Sequence, residues 1–208
     1  MTGVKAVIFD LGNVLIELHY DRSLNMLKEL TDRGEAELNE MLVTAPLLQQ
    51  FEVGNITESE FKDSFRDHMK IDLSSDRFDK IWNALLGNIT SERIQRVRAL
   101  KSMYKTFVLS NTNAIHERCF NAKLKSAHGF DEIGDLVDKA YFSHVIGLRK
   151  PDSSIYEFVL AQENLLPAEV LFIDDREDNI LSASRLGINT YLNVNVDDWL
   201  RHPLLSVN

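Results

Sequence analysis

The chain has 208 residues, 44% of them hydrophobic and 26% charged, with a formal net charge of −9. That length supports one good core, or a core with a smaller insert, and scattered negative charge argues against nucleic acid, whose phosphates need a clustered basic surface. No apolar run approaches the roughly 20 residues that cross a bilayer, the short N-terminal run is no signal peptide, and the lone Cys119 has no internal partner and suits a reducing compartment; the expectation is a cytoplasmic protein, monomeric by default.

The first element is the unbroken apolar run Ala6-Val7-Ile8-Phe9, as in a strand buried on both faces of a parallel sheet. It stops at Asp10, and Gly12-Asn13 lets the chain turn. Helical spacing follows: Tyr20, Leu24 and Leu27, then Phe61, Phe65 and Met69, then Phe78, Ile81, Trp82 and Leu85. Thr57-Glu58-Ser59-Glu60 reads as a capping box, and Pro46 and Glu52-Val53-Gly54-Asn55 interrupt the helices. Asp21 to about Leu86 is therefore a helical bundle with no convincing strand.

Beyond Thr90 the pattern alternates. A helix with Ile94, Val97 and Leu100 leads to the strand Thr106–Leu109, which ends in Ser110-Asn111-Thr112-Asn113. A helix to about Lys125 and a short strand near Ala140–Phe142 precede Gly147-Leu148-Arg149-Lys150-Pro151, with Pro151 suited to the entry of the helix bearing Ile155, Phe158 and Val159. The strand Val170–Ile173 runs into Asp174-Asp175, Asp178-Asn179 look like a helix cap, and the last clear helix stops at Gly187. Asn189–Leu192 reads as a fifth strand, and 196–205 as a tail packed by Trp199 and Leu200.

Strands alternating with helices give an α/β fold, a doubly wound parallel five-stranded Rossmann-like sheet with an inserted α-helical cap domain. The expected division is a core of 1–16 and 88–208 and a cap of 17–87. In such a sheet the carboxyl ends of the strands converge on one crevice, which would gather Asp10, Ser110 with Asn111, Lys150, and Asp174 with Asp175. A lone carboxylate, small donors, a cation and a carboxylate pair can hold Mg²⁺ through oxygens and a phosphate through donors, with Asp10 left to attack phosphorus.

The motifs Phe9-Asp10-Leu11-Gly12-Asn13-Val14, Leu109-Ser110-Asn111, Arg149-Lys150-Pro151 and Phe172-Ile173-Asp174-Asp175, in that order, resemble the haloacid dehalogenase superfamily over roughly residues 4 to 195. Asp10-Leu11-Gly12-Asn13-Val14, Glu52-x-Gly54-x-Ile56-Thr57 and Ser110-Asn111-Thr112-Asn113-x-x-His116 further resemble its bacterial α-D-glucose-1-phosphate phosphatases. The resemblance implies a Mg²⁺-dependent phosphatase of small phosphorylated metabolites. Asp10 would be the nucleophile, forming an aspartyl-phosphate. Mg²⁺ would lie between Asp10, the Gly12 carbonyl and the Asp174/Asp175 pair, with Asp174 taken as the direct ligand. Ser110 and Asn111 would hold phosphoryl oxygens, and Lys150 would neutralise them and tether Asp10.

The family's second aspartate, two residues after the nucleophile, is Gly12 here. General acid–base catalysis is typically worth ~10²–10⁴-fold, so three readings stand. The substrate has a good leaving group, such as an anomeric phosphate; or Glu17, His19 or His116 substitutes, with His19 and His116 also candidates for substrate binding; or the protein binds phosphate and turns over slowly. Metal-free haloacid dehalogenases are the enzymatic alternative, but the Asp174-Asp175 pair argues for a metal. Arg149 could reach phosphate or face solvent; Tyr20, Phe51 and Trp82 could line a pocket or fill a core; Asp178 could support the metal ligands from behind.

Overall fold

The computed structural model describes residues 3–205. Five parallel strands, β1 (Ala6–Phe9), β2 (Lys105–Ser110), β3 (Lys139–Phe142), β4 (Val170–Asp174) and β5 (Asn189–Leu192), form one sheet in the order β3-β2-β1-β4-β5. Both neighbours of β1 run level with it: Phe9 pairs with Val108 on one side and Ile173 on the other. Asp10, Ser110 and Asp174 therefore arrive at the same edge of three adjacent strands.

Alternation along β1 splits its side chains between two cores. Val7 and Phe9 pack under α6 (Ser91–Leu100) and α7 (Ala114–His128) with Trp199. Ala6 and Ile8 pack under α9 (Ser153–Glu163) and α10 (Glu177–Arg185). Every β1 side chain is buried, as a doubly covered parallel strand requires.

Between β1 and α6 lie five helices: α1 (Tyr20–Lys28), α2 (Glu35–Val43), α3 (Pro46–Glu52), α4 (Glu58–Met69) and α5 (Ser75–Trp82). They share a separate core in which Phe61 meets Phe51, Phe65, Phe78 and Trp82. The capping box opens α4, with Glu60 N donating to Thr57 Oγ1 at 3.2 Å and Thr57 N to Glu60 Oε2 at 2.7 Å. The two chain crossings into this bundle pair with each other: His19 N donates to Leu85 O at 2.7 Å, and Gly87 N to Glu17 O at 2.8 Å. No helix among the described residues is long and apolar enough to cross a membrane.

Two local expectations shift. Pro151 precedes α9 by two residues; Asp152 is the cap, accepting from Ser154 N at 2.9 Å. Asp178 and Asn179 do not cap α10 but sit in its first turn, because the helix opens at Glu177. The 196–205 tail forms 3₁₀ turns that bury Trp199 against Phe9, with ring centroids 5.0 Å apart. Gly187, with φ +85°, ends α10 as expected.

Candidate active site

The strand ends open into a cavity of about 480 Å³ that extends beneath the helical bundle. Lys150 is its electrostatic centre. The ammonium is 1% exposed and donates to Asp10 Oδ1 (2.7 Å), Asp174 Oδ2 (2.6 Å) and Leu109 O (2.8 Å). Burial works against this charge, but Asp10 and Asp174 outweigh it and hold the lysine above its ordinary pKa. Asp10 is pushed up to about 7, first by burial and then by Asp174 and Asp175, with Lys150 opposing. One lysine does not neutralise three carboxylates.

The three carboxylates differ in what they can still bind. Asp174 is fully buried; beyond Lys150 it accepts from Arg176 N (2.9 Å) and from Asn179 Nδ2 at both oxygens (2.9 and 3.0 Å). Asp175 borders the cavity and accepts from Asn13 Nδ2 at 2.9 Å through Oδ2. Burial raises its pKa too. Asp10, Asp174 and Asp175 each offer an oxygen, all within 4.8 Å of one another. An excess of hard, anionic oxygens at that spacing suits a divalent cation such as Mg²⁺.

The loop after β1 is fastened from the far end of the chain. Asn13 adopts φ +49°, a left-handed conformation that asparagine tolerates, and accepts from Leu18 N at 3.0 Å. Asn193 Nδ2 donates to Asn13 O (2.8 Å) and Trp199 Nε1 to Val14 O (2.9 Å). Gly12 borders the cavity, and a Cβ there would lie 2.7 Å from Leu18 Cδ1. The position missing the second aspartate thus abuts an apolar side chain.

Ser110 borders the cavity and is 3% exposed. Asn111 also borders it, but its side-chain amide braces Lys150: Nδ2 donates to Lys150 O (2.8 Å), and Oδ1 accepts from Lys150 N (2.9 Å). His116 lies in the cavity wall, Nδ1 2.9 Å from Asn83 Oδ1 and ring stacked on Trp82. Desolvation holds its pKa down to about 3, which favours the neutral ring. Glu17 and His19 do not border the cavity; they pair at 3.6 Å where the chain enters the bundle.

Several cavity residues had carried weaker signals in the sequence. Glu52 closes α3 and accepts from Arg149 Nη2 at 3.1 Å, joining the bundle to the residue before Lys150. Gly54, with φ +71°, lies so close to α8 (Ser143–Ile146) that a Cβ would fall 2.5 Å from His144 O. Tyr20 heads an otherwise buried helix face but borders the cavity; its phenol is raised to about 12 by desolvation and by Asp175, Asp10 and Glu52, and stays an O–H donor. Asn179, read from the sequence as part of a helix cap, instead donates to both oxygens of Asp174.

The sequence profile of haloacid dehalogenase-like hydrolases matches residues 4–187. A D-ribitol-5-phosphate phosphatase from Bacteroides thetaiotaomicron is 25% identical over 99% of both chains. A solved HAD family enzyme from the same organism, in complex with magnesium and inorganic phosphate, shares 32% identity over 91% of this chain and 94% of its own, with a TM-score of 0.82. A HAD-like family hydrolase from Porphyromonas gingivalis gives 0.88 at 29% identity over the full length of both. A dehalogenase and two L-2-haloacid dehalogenases, at 17–20% identity, share the fold.

Proposed function

This chain belongs to the haloacid dehalogenase-like hydrolase family, and we propose that it is a Mg²⁺-dependent phosphatase of small sugar or sugar-alcohol phosphates with Asp10 as nucleophile. The observation that carries the reading is the buried Lys150 bridging Asp10 and Asp174 on adjacent strands, beside an Asp175 that borders the cavity.

Lys150 engages Asp10 Oδ1, which leaves Oδ2 to attack phosphorus. The Asp10 Oδ2–P bond forms as the bond from phosphorus to the leaving oxygen breaks, and water then hydrolyses the aspartyl-phosphate. Asp10, the Gly12 carbonyl and Asp175 would hold Mg²⁺, which when bound supplies positive charge to the phosphoryl oxygens. Asp174, whose oxygens already accept from Lys150, Arg176 N and Asn179, fits better as the post that positions Lys150 than as the direct ligand. Ser110 and the main chain at Asn111 would receive the phosphoryl group, since the Asn111 side chain is engaged with Lys150.

Gly12 brings no acid to the leaving oxygen, which favours an anomeric phosphate such as glucose 1-phosphate. The ribitol-5-phosphate relative favours a primary ester instead. Phosphate release from a panel holding both kinds tests the reading. Turnover should depend on Mg²⁺, stop with EDTA and disappear in Asp10→Asn. Turnover that survives either treatment, or none on any member, would reject it. The last outcome would favour a phosphate-binding protein; the clustered carboxylates already disfavour a metal-free dehalogenase.

A further inference from the structure

Buried hydrogen-bonding groups almost always have partners, and one left without is costly. Among the described residues, three buried side-chain atoms without a partner belong to residues that border the cavity: Asn179 Oδ1, Trp82 Nε1 and Arg149 Nε. The first sits beside the carboxylates. The other two are donors, one at the end of α5 in the bundle and one in the loop that carries Lys150.

Both donors are held in place by surroundings that do not use them. The Trp82 ring packs on Phe78 and Phe61 and lies parallel to His116 at 5.5 Å, so packing fixes the indole while its N–H stays unbonded. The Arg149 guanidinium is anchored through Nη2 on Glu52. Two acceptors lie nearby: the Glu52 carboxylate, and His116, whose Nδ1 meets Asn83 Oδ1 and so leaves Nε2 as the acceptor in the neutral ring. Fixed donors and fixed acceptors in residues that border one cavity match a ligand that both gives and takes hydrogen bonds at several points. A chain or ring of hydroxyls does that; an alkyl, aryl or halogenated group does not.

We propose that Trp82, Arg149, Glu52 and His116 form a hydroxyl-reading subsite that receives the leaving group of the substrate and makes the enzyme selective for polyhydroxylated phosphate esters. The proposal rests on the phosphatase reading and adds to it the residues that choose the substrate. An isostere that cannot hydrogen-bond would leave both donors unpaired, the arrangement by which enzymes discriminate most strongly.

The chain has two tryptophans, which makes the test direct. Trp199 donates its indole N–H to Val14 O inside the core and serves as an internal reference. Each member of the sugar- and polyol-phosphate panel, and inorganic phosphate as control, is titrated into ¹⁵N-labelled, Mg²⁺-loaded Asp10→Asn protein, with Trp82→Phe assigning the peaks. The expected result is that at least one polyol ester shifts the Trp82 indole signal and slows its hydrogen exchange, while inorganic phosphate leaves it in place. A Trp82 signal that no ester moves, or that phosphate alone moves equally, overturns the subsite.

In active enzyme, Trp82→Phe should lower kcat/KM for the best polyol ester about 3–10-fold more than for p-nitrophenyl phosphate, the size of one net hydrogen bond. Arg149→Lys keeps the charge facing Glu52, loses Nε–H, and should do the same. Equal losses on both substrates would count against the subsite. Absence of turnover in the wild-type enzyme would instead reject the phosphatase reading, and the titration would still decide the subsite.

Discussion

Arg149 and Glu52 bind each other across 3.1 Å, one from the loop that carries Lys150 and the other from the end of α3 in the helical bundle. Neither is fully exposed, with 27% and 14% of the side chain accessible. The bundle is therefore tied to the loop that delivers the central lysine. Glu52→Gln should lower stability by about 1–3 kcal/mol, the range for a hydrogen bond involving charge, and should raise KM more than it lowers kcat. Denaturant melts and steady-state kinetics check both.

The Asp10 carboxyl is raised to about 7 from an ordinary 3.8. A raised acid binds protons more tightly in the folded than in the unfolded protein, so its contribution favours folding at low pH and is lost as pH climbs from about 4 to 7. A cation bound by ionised Asp10 reverses that penalty. The rise in Tm on adding Mg²⁺ should therefore be small at pH 5 and large at pH 8. A Mg²⁺ effect equal at both pH values would contradict the placement of the metal.

Asn179 donates to both oxygens of Asp174. Removing it by Asn179→Ala leaves a buried carboxylate short of donors, at a cost of about 1–3 kcal/mol. Because Asp174 in turn holds Lys150, the loss of activity is expected in kcat with Mg²⁺ affinity little changed, read by titrating activity against the metal.

Gly12→Asp would restore the family's second aspartate, but its Cβ would fall 2.7 Å from Leu18 Cδ1. Leu18 Cδ1 is the end of a flexible side chain and can give way, so the single variant should lose little stability, and the double variant Gly12→Asp/Leu18→Ala removes the contact altogether. Acid catalysis typically supplies ~10²–10⁴-fold, which bounds the gain expected for primary esters. Anomeric esters, which need the proton less, should gain little. Rates on the two ester classes in the double variant check this.

Much of the architecture was legible because it repeats in one dimension. Apolar runs such as Ala6–Phe9 and Val170–Ile173 stop at carboxylates, and a parallel sheet brings strand ends together whatever their separation in the chain. Asp10 and Asp174 could be matched on that ground alone, whereas Lys150 reaches them from the loop beyond α8. The family resemblance likewise extended to the fold, and the matching profile agrees with it. The division of labour among neighbours was not legible. Which of Asp174 and Asp175 borders the cavity depends on what Asn179 and Asn13 donate to, and nothing in the spacing announces either contact. Asn111 looked like a phosphate donor because its other occupation, the main chain of Lys150, lies 39 residues away. His116 could have been an acid by type; its burial in the cavity wall, which lowers its pKa, is not written in the spacing. Trp82 read from its helical spacing more as core than as pocket wall, and it is both.

The bonds from Asn193 to Asn13 and from Trp199 to Val14 have a bearing on synthesis as well as on structure. A polypeptide ending before those two residues would already contain Asp10, Lys150, Asp174 and Asp175. The loop beside Asp10 would lack two of its fastenings. That loop is thus completed only when Asn193 and Trp199 have been translated, long after Asp10 itself.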